Sequence, residues 1–216
     1  MKSYFRKIIA ASALLGLAAA ANAQLYIATG SASGVSTWFN FTIDPVLNRV
    51  TVVVDNTHPG LGGVTGTVTS FGFNIPTALA GTGSLISTTG VPAGTWSFFE
   101  PYNLNLFDQD VGAGSGANVN GGQPSESVQP GNSATFVFQF GDFTDSTGFL
   151  GSNGLSVKWQ ALSTTGQSDE GFGNPGTPGA PAVPVPEPST YGLMGAFALV
   201  AGLLVRRKFA RATVRS

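Results

Sequence analysis

Acidic side chains in two loops are the residues of this chain whose types and spacing suit metal chemistry. Asp108 and Asp110 lie in FDQDVG, and Asp142 and Asp145 lie in GDFTDSTG. Carboxylate oxygens are the ligands that calcium prefers, and oxygen-rich loops suit such a hard cation. Neither loop follows the EF-hand spacing, and solvated acidic turns are the commoner explanation. We therefore predict no cofactor, and calcium bound by these four residues is the alternative.

Catalytic chemistry has few candidate residues here. His58, the single histidine of the chain, lies in DNTHPG three residues after Asp55. Asp55 would orient His58 beside a serine nucleophile in a hydrolase, but the chain has no G-x-S-x-G elbow. Glu100 and Glu126 would serve glycoside hydrolysis only as a pair held at a fixed separation, which the sequence does not indicate. We predict that the protein is not an enzyme, and one histidine without cysteine argues against zinc or copper.

Charge is distributed very unevenly along the chain. Of ten basic residues, three lie before residue 8 and five lie after residue 205, which leaves only Arg49 and Lys158 between residues 24 and 205. That stretch holds all eleven acidic residues and so carries a net charge of about −9. An acidic body is not expected to bind nucleic acid or anionic lipid. The chain has no cysteine, so residues 24–205 must rely on a hydrophobic core instead of disulfides.

The N-terminus has the three parts of a secretory signal peptide. Basic residues precede an apolar run at residues 8–21, and the small residues of Ala21-Asn22-Ala23 follow. This pattern predicts a signal peptide over residues 1–23, with cleavage between Ala23 and Gln24. A membrane anchor is the alternative, but the run is short and closes on A-x-A.

Short alternating segments fill residues 24–174 of the chain. In VSTWFNFTI, for example, Val35, Phe39, Phe41 and Ile43 share one face of an extended chain. Such alternation is typical of half-buried antiparallel strands, and glycines and prolines separate the segments at the spacing of turns. The pattern predicts an all-β domain, an antiparallel β-sandwich of jelly-roll or immunoglobulin-like kind. The segments predicted as strands lie around residues 35–43, 50–54, 68–75, 96–100, 134–140 and 155–161.

Five aromatic residues between residues 24 and 174 have two interpretations. Sugar rings stack on exposed aromatic side chains, which would make the domain a carbohydrate-binding module, whereas aromatic residues in strands more often lie in the core. The residues concerned are Trp38, Trp96, Trp159, Tyr102 and Phe107.

Two further segments follow the β domain. GFGNPGTPGAPAVPVPEP, at residues 171–188, is rich in proline and predicts an extended spacer. We place the β domain at residues 24–174 and the linker at residues 175–188. Residues 191–205 carry no charge and would span about 22 Å as a helix, somewhat less than the roughly 30 Å of a hydrocarbon core. The basic residues that follow favour a single transmembrane helix with a cytoplasmic tail, although a buried helix is the alternative for so short a run.

The C-terminal segments together carry a resemblance to a known family. Pro186-Glu187-Pro188, then the apolar run, then Arg206-Arg207-Lys208 resemble the PEP-CTERM sorting signal of Gram-negative bacteria. All three parts of that signal are present in order, and the resemblance covers residues 185–211.

The resemblance implies a route and a partner. PEP-CTERM proteins are substrates of exosortase, a membrane enzyme that processes them near the Pro-Glu-Pro motif in bacteria that make exopolysaccharide and biofilm. It implies anchoring in the inner membrane by the C-terminal helix, followed by processing and a place at the cell surface or outside the cell. We therefore predict an exported, non-enzymatic envelope or matrix protein, with exopolysaccharide as a further partner. A carbohydrate-binding module is the alternative, and a hydrolase is a third.

Overall fold

Strands account for nearly all regular structure in the part of the chain that the structure describes. The structure is a computed structural model, and it describes residues 22–105, 107–120, 122–143, 147–151 and 154–175. The strands are β1 (Asn22–Gly30), β2 (Ser36–Asp44), β3 (Arg49–Asp55), β4 (Thr67–Phe73), β5 (Ser84–Thr89), β6 (Ser97–Phe99), β7 (Tyr102–Leu104), β8 (Phe107–Gln109), β9 (Val111–Gly114), β10 (Ser133–Gln139), β11 (Leu155–Gln160) and β12 (Asp169–Pro175). Short 3₁₀ helices lie at Leu61–Gly63, Thr77–Leu79 and Pro124–Glu126.

The alternation of apolar and polar residues explains the long strands. In β2, Phe39, Phe41 and Ile43 are fully buried, whereas the residues between them are partly or fully exposed. β3 and β10 show the same period of two in their burial. Successive side chains of a strand point to opposite faces, so this period gives each strand one face toward the core. The six segments predicted as strands are confirmed as β2, β3, β4, β6, β10 and β11.

Ten strands form one antiparallel sheet. Their order is β5-β10-β3-β2-β1-β12-β11-β4-β9-β6, and β7 and β8 form a separate hairpin. β5 and β6 stand at the two ends of this order and also contact each other, so the sheet curls into a nearly closed barrel. The predicted all-β, antiparallel fold is thereby confirmed. The described strands form one continuous curled sheet, and the jelly-roll or immunoglobulin-like sandwich stays a prediction.

Aromatic side chains fill the inside of the curled sheet. The ring centroids of Phe71 in β4 and Phe136 in β10 lie 5.0 Å apart, and those of Phe73 in β4 and Phe138 in β10 lie 5.1 Å apart. Phe39 of β2 lies 5.6 Å from Phe71. Edge-to-face and tilted ring pairs at these distances are favourable. Because β4 and β10 are far apart in strand order, these contacts join the two halves of the sheet into one core.

The β7–β8 hairpin covers part of the outer face of the sheet. The ring of Tyr102 in β7 packs so closely on Gly72 and Gly112 that a Cβ added at either glycine would lie within 2.3 Å of it. Phe107 of β8 lies 4.1 Å from Phe172 of β12 between ring centroids. The hairpin therefore forms a second, smaller apolar cluster outside the barrel, and every residue of β4 is buried.

The last strand includes the first residues of the proline-rich segment. Residues 171–175, assigned from composition to the spacer, form most of β12 and pair with β1 and β11. Gly171 and Gly173 are glycines for a packing reason. A Cβ at Gly171 would lie 1.9 Å from the carbonyl oxygen of Thr29, and a Cβ at Gly173 would lie 2.2 Å from Leu155 Cδ2. Glycine here permits close approach of strands and does not mark a linker.

The predicted terminal helices lie outside the described residues. The same is true of the spacer beyond residue 175, of the apolar run at residues 191–205 and of most of the signal peptide. β1 begins at Asn22, two residues before the predicted mature start, and Ala23 pairs with Thr42 of β2. Among the described residues, no helix is long and apolar enough to cross a membrane.

Candidate functional site

The residues predicted to direct sorting lie outside the described part of the chain. This applies to the motif residues Pro186, Glu187 and Pro188 and to the basic residues Arg206, Arg207 and Lys208. The predicted signal cleavage site is described: Ala23 is exposed and Gln24 is half-buried at the start of β1. An exposed Ala23 is compatible with access by a peptidase, and cleavage there stays a prediction.

The three described residues among the four predicted calcium ligands belong to no group of three or more acidic, histidine or cysteine side chains placed to hold a metal ion. Asp108 and Asp110 are exposed near the β7–β8 hairpin, and Asp110 Oδ2 accepts a hydrogen bond from the Ile75 backbone N–H at 2.9 Å. Asp142 Oδ1 instead accepts a hydrogen bond from Asn48 Nδ2 at 2.9 Å beside the β2–β3 turn. Asp145 lies outside the described residues.

An open cavity of about 440 Å³ brings Asp108 and Asp110 near Glu100. Glu100 accepts a hydrogen bond from the Gly81 backbone N–H, so its carboxylate already has a partner, as has that of Asp110. The described residues contain no group of three or more histidine, cysteine or acidic side chains placed to hold a metal ion. Calcium binding at Asp108, Asp110, Asp142 and Asp145 stays a prediction. Glu126 is not among the residues that line the cavity, so the structure does not pair it with Glu100.

His58 and Asp55 do come together, on the outer face of the sheet. His58 Nδ1 lies 3.6 Å from Asp55 Oδ2 and 3.2 Å from Thr57 Oγ1. The imidazole ring stacks on Trp38 of β2, with ring centroids 3.8 Å apart and an angle of 2° between the ring planes. Within the described residues no serine hydroxyl is hydrogen-bonded to this histidine. The arrangement supplies a flat aromatic pair beside the Asp55 carboxylate and the Thr57 hydroxyl.

The remaining aromatic residues that the sequence offered for sugar stacking lie in the interior. Trp96, Trp159, Tyr102 and Phe107 are all buried, and Trp159 and Tyr102 are fully so. Trp159 Nε1 donates a hydrogen bond to Thr37 Oγ1 at 2.8 Å inside the barrel. Only Trp38 among the three tryptophans is half-buried, so it alone offers indole surface to a ligand.

Asp169 is a buried carboxylate that holds the β1–β2 turn. Its Oδ2 accepts hydrogen bonds from the Ser33 backbone N–H at 2.7 Å, from Ser33 Oγ at 2.6 Å and from the Ala32 backbone N–H at 3.1 Å. Burial by itself raises the pKa of Asp169, but the hydrogen bonds from Ser33, Glu170 and Ala32 outweigh it and leave this pKa below its ordinary value. Asp169 thus acts as a structural clamp on the turn.

A polar cluster under the β7–β8 hairpin was not predicted. Lys158 Nζ donates to Glu170 Oε1 at 3.3 Å, and Asn105 Nδ2 donates to the same oxygen at 2.5 Å. The side chains of Lys158 and Glu170 are only 8% and 15% exposed. Lys158 alternates with Leu155, Val157 and Trp159 along β11, which predicts an outward and therefore solvated position. The hairpin covers that position, and the signal available in the sequence is that Lys158 is one of two basic residues in the body.

Tyr102 borders this cluster. Its hydroxyl donates to Ser70 Oγ at 2.9 Å. Burial raises the pKa of Tyr102 strongly, the hydrogen bond with Ser70 lowers it, and the charge of Glu170 raises it further. Tyr102 is therefore a neutral hydrogen-bond donor at the base of the hairpin.

Comparison with known proteins identifies the C-terminal segment. Residues 184–208 match the family model of the PEP-CTERM protein-sorting motif. This match includes the Pro-Glu-Pro residues, the apolar run and the three basic residues that carry the resemblance in the sequence. No curated protein and no solved structure matches the chain.

Proposed function

Because the chain carries a PEP-CTERM sorting motif at residues 184–208, we propose that it is a cell-envelope or extracellular-matrix protein without enzyme activity of its own. The motif is the observation that carries this proposal. It implies export, anchoring in the membrane and processing by exosortase. The proposal adds a final place at the cell surface or outside the cell, and a role of the body in exopolysaccharide or biofilm.

The proposed route gives each terminal segment one role in export and sorting. The signal peptide at residues 1–23 directs export, and the apolar run at residues 191–205 stops it in the inner membrane. The basic residues at 206–208 keep the tail in the cytoplasm, because positive charge next to a span favours the cytoplasmic side. Glu187 and its flanking prolines then mark the chain for exosortase, which removes the tail.

Two features of the body support a role without catalysis. Among the described residues, His58 interacts with Thr57 and Asp55 of its own turn and with the Trp38 ring. The carboxylates of Glu100 and Asp110 each accept a hydrogen bond from a backbone N–H group, which gives them a structural role. We propose that the body acts by binding and needs no cofactor.

Substitution of the motif carboxylate tests this route. Glu187→Ala leaves the signal peptide and the apolar run unchanged, so we expect export to continue while processing stops. The variant should stay in the membrane fraction of the native host with its tail attached. Pro181→Ala is the matched control, because it changes the same spacer outside residues 184–208, and it should be processed like the wild type.

The size and location of the two products decide the outcome. If Glu187→Ala is trimmed and released like Pro181→Ala, Pro-Glu-Pro is only the end of a stalk and the sorting proposal fails. Reversal of Arg206, Arg207 and Lys208 to acidic residues should have a different effect. It should weaken retention of the tail in the cytoplasm.

A second candidate function is carbohydrate binding at the outer face of β1, β2 and β3. The observation that favours it is the Trp38–His58 stack, in which the His58 side chain is 40% exposed. Ile27 and Asp55 lie beside Trp38 on the neighbouring strands. A flat aromatic surface next to a carboxylate suits a sugar ring, which stacks through its C–H face and donates hydroxyl hydrogens.

Retention on the host's own exopolysaccharide tests this second function. The wild type should be retained and Trp38→Ala should not, with and without added calcium. Ile86→Ala is the matched control, because Ile86 is an apolar residue with 46% exposure on β5, and it should be retained. Equal retention of the wild type and Trp38→Ala, or no retention of the wild type, removes this candidate.

A further inference from the structure

The cluster under the β7–β8 hairpin contains the three groups that an amide cross-link between side chains requires. Such a bond needs an amine, a carboxamide and a carboxyl group that moves protons between them. Lys158 supplies the amine, Asn105 the carboxamide and Glu170 the carboxylate. The nitrogens of Lys158 and Asn105 both donate to Glu170 Oε1, so a single oxygen holds the two reacting side chains next to each other.

The fold explains why these three residues meet. Lys158 and Glu170 are direct partners across the antiparallel β11–β12 pair. Asn105 lies in the turn between β7 and β8 with a φ of 38°, a left-handed conformation that asparagine tolerates better than most residues. The hairpin is anchored by Tyr102 on Gly72 and Gly112, which fixes the turn above β11. The three groups are thus positioned by two strands and one anchored hairpin.

Lys158 and Glu170 are largely shielded from water, whereas Asn105 is exposed. The side chain of Lys158 is 8% exposed, and the apolar cluster of Tyr102, Leu104, Phe107 and Val119 lies under the same hairpin. A charged ammonium group in such a place is costly unless it is paired. Transfer of a proton from Lys158 Nζ to Glu170 Oε1 would leave both groups neutral, and a neutral amine is the nucleophilic form.

We propose that Lys158 and Asn105 form an intramolecular isopeptide bond, with Glu170 as the catalytic residue. Lys158 Nζ gives a proton to Glu170, attacks Cγ of Asn105 and loses a second proton as the new C–N bond forms. Glu170 passes protons to Nδ2 of Asn105, the bond from Cγ to Nδ2 breaks, and the nitrogen leaves as ammonium. Glu170 is a carboxylate again at the end. Nothing is oxidised or reduced, and no co-reactant is needed.

The bond would fasten the hairpin to the sheet. It joins residues that are far apart in sequence, and a cross-link that closes a long loop stabilises mainly by restricting the unfolded chain. The chain has no cysteine, so disulfides cannot form, and this bond would supply a covalent cross-link in their place. It is independent of how the protein is sorted.

Mass spectrometry of the denatured, trypsin-digested wild-type protein tests the proposal. Between residues 24 and 205 trypsin can cleave only after Arg49 and Lys158. We expect the peptide that begins at Val50 to continue past Lys158, because an acylated lysine is not cleaved, and to weigh one ammonia less than its sequence. Fragmentation should place the missing ammonia at a link between Asn105 and Lys158.

Three variants serve as controls. Lys158→Arg keeps a positive charge beside Glu170 but has no amine to acylate, Asn105→Ala removes the carboxamide, and Glu170→Gln removes the proton carrier. Each should have its full sequence mass. Cleavage of the wild type after Lys158, with both peptides at their sequence masses, overturns the proposal whether or not the variants fold.

Discussion

The β body at residues 22–175 and the sorting motif at residues 184–208 depend on sequence in different ways. The body is specified by many apolar residues at a period of two, with contacts such as Phe71 to Phe136 that join strands distant in sequence. The motif is specified by a few adjacent residues in a fixed order. The difference predicts that damage to the body leaves sorting intact, and that damage to the motif leaves the fold intact.

The largest effect on the body is expected at its central aromatic residue. Phe71 is fully buried and contacts Phe39, Phe136 and Trp96. Phe71→Ala leaves a cavity in the core and should lower the free energy of unfolding by about 3–5 kcal/mol, measured by chemical denaturation.

A control and a second readout sharpen this test. Leu61→Ala should change stability by less than about 0.5 kcal/mol, because Leu61 is 79% exposed. If Phe71→Ala blocks processing of the tail while the protein is still exported, the body and the motif are not independent and the comparison fails.

A smaller loss is expected at the buried carboxylate of the β1–β2 turn. Asp169→Ala removes the carboxylate that accepts hydrogen bonds from the backbone N–H groups of Ala32 and Ser33. The free energy of unfolding should fall by about 2–3 kcal/mol, since hydrogen bonds to a charged group are the stronger kind. The neighbouring Ser168 is exposed, and Ser168→Ala should have almost no effect. Equal stability of the two variants would show that Asp169 is not a clamp.

The Asp169 carboxylate also predicts how the free energy of unfolding depends on pH. The pKa of Asp169 is lower in the folded state than its ordinary value, so the folded state binds this proton less well than the unfolded state. The stabilisation is therefore complete above the ordinary pKa of about 4 and is lost as pH falls through the folded pKa. The free energies of unfolding of the wild type and of Asp169→Asn, measured by chemical denaturation across this pH range, should converge at low pH. A constant difference between them contradicts the prediction.

The smallest effect is expected at the hairpin. Tyr102→Phe removes the hydrogen bond to Ser70 Oγ and keeps the ring on Gly72 and Gly112, so stability should fall by about 1 kcal/mol. Tyr26→Phe is the matched control, because the Tyr26 hydroxyl makes no hydrogen bond with the described residues, and it should be nearly neutral. A Tyr102→Phe variant as stable as the wild type would mean that packing alone holds the hairpin.

Strands with strong alternation could be predicted from sequence, and strands that depend on neighbours could not. β2, β3 and β10 alternate over seven or more residues, which is a local signal. β12 has the composition of a linker. Its glycines Gly171 and Gly173 are explained by the close approach of Thr29 and Leu155, which lie beside them in the fold and not in the sequence. β5, SLISTT, is largely exposed, and its burial does not alternate along the strand.

The candidate sites divide in the same way. The sorting motif is contiguous, so its residues could be identified from the sequence and the family model confirms it. The Lys158 cluster could not be predicted, because Asn105, Lys158 and Glu170 meet only when the hairpin folds over the outer face. Likewise the stacking of His58 on Trp38 depends on the turn that follows β3 lying beside β2.

Mapping the C-terminus of the mature protein in its native host, with exosortase present and with exosortase deleted, tests the central claim most directly. The account predicts that with the enzyme present the protein lacks Arg206, Arg207 and Lys208 and leaves the inner membrane. Without the enzyme it should keep these residues and stay in the membrane fraction. The same C-terminus and the same location in both hosts would contradict the account.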